Sequence, residues 1–452
     1  MSSRSNPRSA DGLSARVIEP ALPVSTTGLV VAFSGGVDST VLLHLAVQSR
    51  WPVRAVHVHH GLHENADRWA DHCRRTGDRL GVSVDTRSIS SINGDGEGLE
   101  AAARAERYRV LGDALQGDEC LLTAHHADDQ FETLLYRLLR GTGPSGMGGI
   151  QPRMPFGHGW LIRPLLATPR AQLEAHARAN DLHWIDDPSN ASLDHDRNYL
   201  RHRVIPSIEA RWPRANAAAA RLATHAREQC GLTDDLLRDR RQSAAAAING
   251  PLAVADCASG DEPFDRAMLR MWIRDGGHRP PGARRLAVGR AALVNAARDR
   301  DPTMTGLDFA IRRHRGWLFR LPRPLPEVPV PVPVPSGADR ASWGALGEVS
   351  WPPALGGPLW LRAPHPGERI ALPGRRTRPI RELYRERGIT PWWRDRLPAL
   401  VDARDECLAV AGLGLTRSGV ERAPQALAMG LEFTPSPSAT GADWAWLSAP
   451  PQ

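Results

Sequence analysis

Two hydrophobic textures alternate along the first part of the chain. Leu29–Phe33 (LVVAF), Val53–His59 (VRAVHVH) and Cys120–Ala124 (CLLTA) are near-continuous apolar runs, the pattern of strands buried on both faces. Between them, Val37–Ser49, Ala66–Leu80, Leu99–Leu115 and Ala127–Leu139 carry apolar residues at helical spacing. The alternation predicts an α/β fold: a parallel sheet with helices on both sides, whose ligands gather at the carboxyl ends of the strands.

Beyond about residue 200 the texture changes. Arg203–Arg241 and Phe264–Arg300 are rich in Ala and Arg and read as helices with little strand signal. Leu321–Ser336 (LPRPLPEVPVPVPVPS) alternates Pro with Val. Fixed φ and missing donors predict a stiff, extended spacer there rather than a packed element. Trp343 to about Arg422 reads as a small Trp- and Arg-rich unit of short strands and turns. The expected division is a loose leader (1–28), a catalytic α/β domain (29–210), a helical domain (211–320), a Pro-rich linker (321–340), a small α+β domain (341–425) and a loose tail (426–452). A length of 452 residues suits two or three domains.

Composition narrows the class. The chain is 41% hydrophobic and 24% charged, within the ordinary soluble range, and no apolar run approaches the roughly 20 residues that span a bilayer. Met1–Gly28 lacks the apolar stretch and cleavage site of a signal peptide. The five cysteines (Cys73, Cys120, Cys230, Cys257, Cys407) show no metal-ligand or redox spacing. A cytoplasmic protein without a membrane partner is expected. The net charge of +7 suits a polyanionic partner. All 57 cationic side chains are arginine, so a Walker A loop, which needs its Gly-Lys step, is excluded.

The strand Leu29–Phe33 runs directly into Ser34-Gly35-Gly36-Val37-Asp38-Ser39 and a helix. Two glycines allow close approach to an anion, and a helix start presents free N–H groups and positive dipole. Ser34 and Ser39 can add hydroxyl donors. Asp38 is out of place beside phosphate unless a divalent cation such as Mg²⁺ bridges the two. A plain Ser-Gly-Gly turn with Asp38 as a helix cap is the bland alternative; the setting between buried strand and amphipathic helix favours a nucleotide. The hexapeptide resembles the SGGxDS signature of PP-loop ATP pyrophosphatases, which cleave ATP between the α and β phosphates and adenylate a substrate. That resemblance puts Ser34, Gly35, Gly36, Val37, Asp38 and Ser39 in an ATP site, with Asp38 holding Mg²⁺ and His59 near the adenine. His57, His59 and His60 are not expected to share a metal, because neighbours on a strand alternate faces.

A second motif, Thr123-Ala124-His125-His126-Ala127-Asp128-Asp129-Gln130-Phe131-Glu132-Thr133, begins at a strand end and enters a helix. His125, Asp129 and Glu132 are spaced to share one face. Such carboxylates could bind Mg²⁺, bind an ammonium group, or merely complement the helix dipole. TAHHADDQFETLLYRLLRGTG resembles a hallmark of the tRNA(Ile)-lysidine synthetases. Gly98–Tyr108, Asp187-Pro188-Ser189-Asn190, Arg197–Pro206, Arg378–Leu383 and Thr390–Pro398 match the same family in order. The family usually carries lysines where this chain has Arg378 and Arg381; both are cationic, so phosphate contacts should survive.

The resemblance implies an activity. ATP adenylates the wobble cytidine of the tRNA(Ile) whose anticodon reads CAU, and the amine of free L-lysine then displaces AMP to give lysidine. Asp129 and Glu132 match the positions that engage lysine, as ammonium partners and proton acceptors. Asp38, Asp129 and Glu132 are thus the expected catalytic residues. Arg201 and Arg203 at the end of the catalytic domain, and Arg378, Arg381 and Arg394 in the C-terminal one, are expected to bind tRNA together with the helical domain, and family members are often homodimers. From Arg362 to Arg396, ten arginines face four carboxylates, a net +6 suited to an RNA backbone. Trp392 and Trp393 could stack on bases, although one is expected in the core. An RNA thiolase of the same class is the alternative, but it would need a catalytic cysteine near the site.

Overall fold

The computed structural model describes residues 13–59, 61, 65–89, 97–186, 196–241, 250–297, 300–426 and 431–436. His60, the Asp187–Asn190 motif, residues 1–12 of the expected leader and residues 437–452 of the expected tail lie outside the described residues. The chain divides into two compact units, Met1–Leu232 and Thr233–Gln452.

The first unit is built on strands β1 (Gly28–Ala32), β2 (Val53–His59), β3 (Val84–Ser88), β4 (Glu119–Leu122), β5 (Arg153–Phe156) and β6 (Gly159–Ile162). They form one sheet in the order β3-β2-β1-β4-β6-β5, parallel except for the β5–β6 hairpin. Helices α1 (Val37–Val47), α2 (Ala66–Leu80), α3 (Glu97–Gly112) and α4 (Ala127–Leu139) follow the first four strands. All four coincide with the apolar periodicity to within a few residues. β1 is buried along its whole length and feeds two cores with alternate residues. Leu29 and Val31 join Val41, Leu42, Leu45 and Leu173 on one face; Val30 and Ala32 join Val56, Val110, Leu111 and Leu121 on the other. Full burial of one such side chain contributes about 1.5–3 kcal/mol, which explains why β1 is apolar throughout.

The remaining helices that begin in this unit are α5 (Pro144–Met147), α6 (Arg170–Ala179), α7 (Asp196–Tyr199), α8 (Ile205–Arg211) and α9 (Ala215–Arg240), the last running past Leu232 into the second unit. A π-helical turn, Leu200–Val204, joins α7 to α8.

Several expectations need correction. The leader is not loose from residue 13 onward: Ile18 is fully buried in the first core, with Leu13, Val17, Ala21 and Leu22 packed against it. Its two short 3₁₀ turns, Ala15–Val17 and Glu19–Ala21, are too brief to show a period. In the second unit, α10 (Glu262–Asp275) and α11 (Ala283–Asn295) provide the expected helices. They are accompanied by an antiparallel sheet that the pattern concealed: β7 (Leu252–Ala253), β8 (Thr303–Thr305), β9 (Phe309–His314) and β10 (Trp317–Pro322).

The Pro-rich segment is only partly a spacer. Its first residues belong to β10, and Leu321 and Leu325 pack with the Trp343, Trp351 and Trp393 core. Val332–Val334 then pairs antiparallel with Leu359–Arg362. Alternation puts Val332 and Val334 on one face, and Pro333 is tolerated because this strand is a sheet edge. The expected tail likewise holds a strand, Glu432–Pro435, paired with Gly347–Ser350, with Phe433 buried.

Candidate active site

The strand order reverses at β1: the chain leaves it toward β2 on one side, while β4 lies on the other. Both chemical motifs follow these central strands, so the topology opens them toward one crevice at the carboxyl end of the sheet. After β1, Gly35 has φ +84°, and a Cβ there would meet Cys73 Sγ at 3.0 Å and Ile185 Cδ1 at 3.1 Å. Glycine is therefore required on both conformational and steric grounds. The Gly35 carbonyl accepts a hydrogen bond from Ile185 N–H at 2.9 Å. Ser34 Oγ and Ser39 Oγ lie 3.0 Å apart, and Ser39 Oγ donates to the Gly36 carbonyl at 3.0 Å. The loop closes on itself while the first-turn N–H groups of α1 have no intrahelical acceptors.

Asp38, in that first turn, is the anomaly the sequence suggested. Its Oδ1 is buried without a hydrogen-bond partner, and burial raises its pKa despite nearby His126 and Arg170. An orphaned anionic oxygen beside a phosphate-shaped loop fits a divalent cation, which would neutralise it. Among the described residues no group of three or more His, Cys, Asp or Glu could hold a metal by itself. A cation here would need phosphate oxygens to complete its shell.

After β4 the chain turns into α4. Asp129 Oδ2 accepts from the His126 backbone N–H at 3.0 Å and caps the helix. The His126 ring is 3% exposed and lies among three carboxylates: Nε2 is 3.7 Å from Asp38 and 3.4 Å from Asp129, and Nδ1 is 3.2 Å from Asp128. Burial alone would lower its pKa, but these carboxylates outweigh burial and raise it. The imidazole thus joins the phosphate loop to the acidic helix, in surroundings that favour its charged form. The helical spacing from Asp129 and Glu132 points to His125 instead. His125 precedes the helix, and burial, with Arg163, Arg104 and Arg107 nearby, holds its pKa at about 3. Only the adjacency of two histidines hinted at His126, and nothing in the sequence says which faces Asp38.

Glu132 is 5% exposed, and burial raises its pKa. Its partner was unforeseen. Arg201, expected to reach tRNA, spans both carboxylates: Nη2 is 3.0 Å from Asp129 Oδ1 and 2.8 Å from Glu132 Oε2. Arg197 Nε stands 3.6 Å from Glu132 Oε1. Arg203 is exposed. His59 Nε2 contacts Asp67 at 3.0 Å, and His57 Nδ1 is bonded to the Phe33 carbonyl at 2.9 Å.

Residues 12–208 match the PP-loop domain, residues 252–319 the TilS substrate binding domain, and residues 359–429 the TilS substrate C-terminal domain. The tRNA(Ile)-lysidine synthase of Alkalilimnicola ehrlichii is 42% identical over 86% of this chain and 91% of its own length. The enzyme of that name from Methylococcus capsulatus is 37% identical over 90% and 96%, and that from Xanthomonas axonopodis pv. citri 39% over 84% and 89%. The chain belongs to the tRNA(Ile)-lysidine synthase family. Membership makes it an enzyme of the PP-loop class that uses ATP. No helix among the described residues is long and apolar enough to cross a membrane.

The family's C-terminal motif is held in the second unit. Arg378 pairs with Glu382 at 3.2 Å and with Glu386, and Arg381 with Asp395 at 2.7 Å, all largely on the surface. Arg394 donates to the Ile389 carbonyl at 2.8 Å. Its pKa is lowered first by burial and then by Arg385 and Arg315, a cationic cluster suited to an anion. Trp392 and Trp393 are both buried, so neither is a stacking platform.

Proposed function

We propose that this chain joins free lysine to the wobble cytidine of a CAU-anticodon tRNA(Ile), converting ATP to AMP and pyrophosphate through an adenylated cytidine. The observation that carries the reading is the linkage of Asp38, His126, Asp129 and Glu132 at the switch point of the sheet, within a chain of this family. A thiolase reading loses support: the Cys73 thiol, behind the phosphate loop, is buried and pushed up to about 12, far from the thiolate such chemistry needs.

In this mechanism Ser34, Ser39 and the start of α1 hold the ATP phosphates. Asp38 would hold Mg²⁺, which supplies charge neutralisation at the phosphates. The imidazolium of His126 adds positive charge beside the departing pyrophosphate and keeps Asp38 oriented. The cytidine carbonyl oxygen attacks the α-phosphorus, and pyrophosphate leaves. The base must be unstacked to reach this crevice. Lysine's amine then attacks the same ring carbon, and AMP leaves with the oxygen. Asp129 and Glu132 pair with the ammonium, and Glu132, whose burial favours its protonated form, can accept the proton released. The guanidinium groups of Arg104, Arg107 and Arg163 around His125 offer lysine's carboxylate a partner. The arginines of the second unit, with Arg203, would contact the tRNA backbone.

The deciding experiment follows radiolabelled lysine into a CAU-anticodon tRNA(Ile) transcript with and without ATP. Incorporation should require ATP and the unmodified cytidine. Label-free tRNA in the presence of ATP would refute the proposal.

A further inference from the structure

The residues proposed to receive lysine's ammonium are already in use. One guanidinium, that of Arg201, lies within ion-pair distance of both Asp129 and Glu132. An incoming ammonium therefore meets a filled site. We infer that Arg201 is a built-in stand-in for the amine substrate: it holds Asp129 and Glu132 together until the substrate's ammonium displaces it. The inference rests on the reading of these carboxylates as the amine site.

Three observations carry it. The two ion pairs are unequal: Asp129 Oδ1 accepts a directed hydrogen bond from Arg201, whereas Glu132 Oε2, equally close, is a buried atom with no aligned hydrogen-bond donor. One guanidinium nitrogen serves both oxygens and is aligned with only one of them, whereas the ammonium of a free ligand, not tethered to the chain, can turn its three donors to both. Second, Arg201 sits on the π-helical turn Leu200–Val204 rather than on a regular helix. Such turns trade regular hydrogen bonding for an altered side-chain direction and concentrate at functional sites. Third, its side chain is 30% exposed while Glu132 is 5% exposed, so the guanidinium can withdraw toward solvent without unburying the carboxylate. Arg197, at 3.6 Å from the other Glu132 oxygen, stays as a weaker counter-charge during the exchange. The released Arg201 then lies two residues from exposed Arg203, where a phosphate of the RNA could receive it. That would serve the role its sequence position suggested.

A stand-in sets a threshold. Only a ligand carrying a full positive charge can replace it, so neutral amines and small polar molecules are refused. The cost is a weaker apparent affinity for lysine than the empty site would have, by the fraction of time the site is free.

The test compares Arg201→Gln and Arg201→Lys with the wild-type full chain. The Gln variant should lower the lysine KM in the labelled-incorporation assay, by about tenfold if Arg201 occupies the site nine-tenths of the time. The Lys variant keeps a shorter, weaker occupant and should fall between the two. Guanidinium ion at low millimolar concentration should compete with lysine in the Gln variant and much less in wild type. It should also raise that variant's melting temperature more than the wild type's. A lysine KM unchanged or raised in the Gln variant, or equal guanidinium effects on both proteins, overturns the inference. If the Gln variant does not fold, the Lys variant decides: a KM below wild type supports displacement, and one at or above it refutes displacement. Should wild type incorporate no lysine at all, the amine reading fails. The guanidinium melting shift still judges the stand-in by itself.

Discussion

Two buried charge networks, one in each unit, are built on opposite terms. In the second unit, Arg362 is 6% exposed and every part of its fork is used. It bonds Asp405 at 2.7 Å, both Glu368 oxygens at 2.8 and 2.9 Å, and the Ala363 carbonyl. Burial would raise the Glu368 pKa, but hydrogen bonds from Arg362 and the His365 backbone outweigh burial and lower it. In the first unit, Asp38 Oδ1 is buried without a hydrogen-bond partner and Glu132 Oε2 has only the misaligned ion pair with Arg201; burial prevails there, raising both pKa values. A satisfied network holds a fold; an unsatisfied one is waiting for a ligand. The sequence shows the same residue types in both.

The largest expected effect on stability breaks the satisfied network. Arg362→Met leaves half-buried Glu368 without its cation and should cost about 1.5–3 kcal/mol of stability, read by urea or thermal unfolding of the full chain. The corresponding change in the first unit should do the reverse. Asp38→Asn removes a charge whose burial its neighbours do not fully offset, so folding should be unharmed, while pyrophosphate release falls by roughly 100- to 1,000-fold. A folded Asp38→Asn enzyme with near-normal pyrophosphate production would remove Asp38 from phosphate chemistry. An Asp38→Asn variant as unstable as Arg362→Met would erase the distinction between the networks.

Within the first unit, Asp129→Asn or Glu132→Gln should impair lysine use more than adenylation. Loss of one charge-assisted hydrogen bond costs about 1.5–3 kcal/mol, or roughly 10- to 150-fold in apparent lysine affinity. Measuring adenylated tRNA formed without lysine, and its consumption once lysine is added, separates the steps. Lost ATP binding with intact lysine affinity would make these carboxylates metal ligands.

The smallest effect is the response to acid, and its sign differs between the units. Glu368 has a lowered folded pKa, so its contribution is present above the ordinary carboxylate value of about 4.3 and lost as pH falls through the folded value. Asp38 and Glu132 have raised values, so stability from their protonated forms is present below about 4 and lost as pH rises through the folded values. Melting curves from pH 3 to 8 should show Glu368→Gln flattening the acid side. Asp38→Asn should raise the melting temperature at neutral pH by about 2–4 °C for each kcal/mol relieved, with the gain vanishing near pH 4. Parallel curves for the two variants would contradict the opposite shifts.

What the sequence determined by itself was whatever a short stretch of chain can encode. The continuous apolar run of β1 and the helical spacing of α1 to α4 were legible because burial on two faces, or on one stripe, is written directly into residue order. The phosphate loop was legible because Gly35 must adopt a positive φ at a fixed place between strand and helix. Elements of two to six residues, such as β7 to β10, the Val332–Val334 edge strand and the turns around Ile18, were not, because so few positions cannot establish a period. Only the tertiary structure decided who partners whom. That His126 rather than His125 meets Asp38, and that Arg201 reaches Asp129 and Glu132 from some 70 residues away, follows from how α4 and the π-helical turn meet the crevice. Electrostatic pairing depends on distance in space and on desolvation, and neither is a property of residue order.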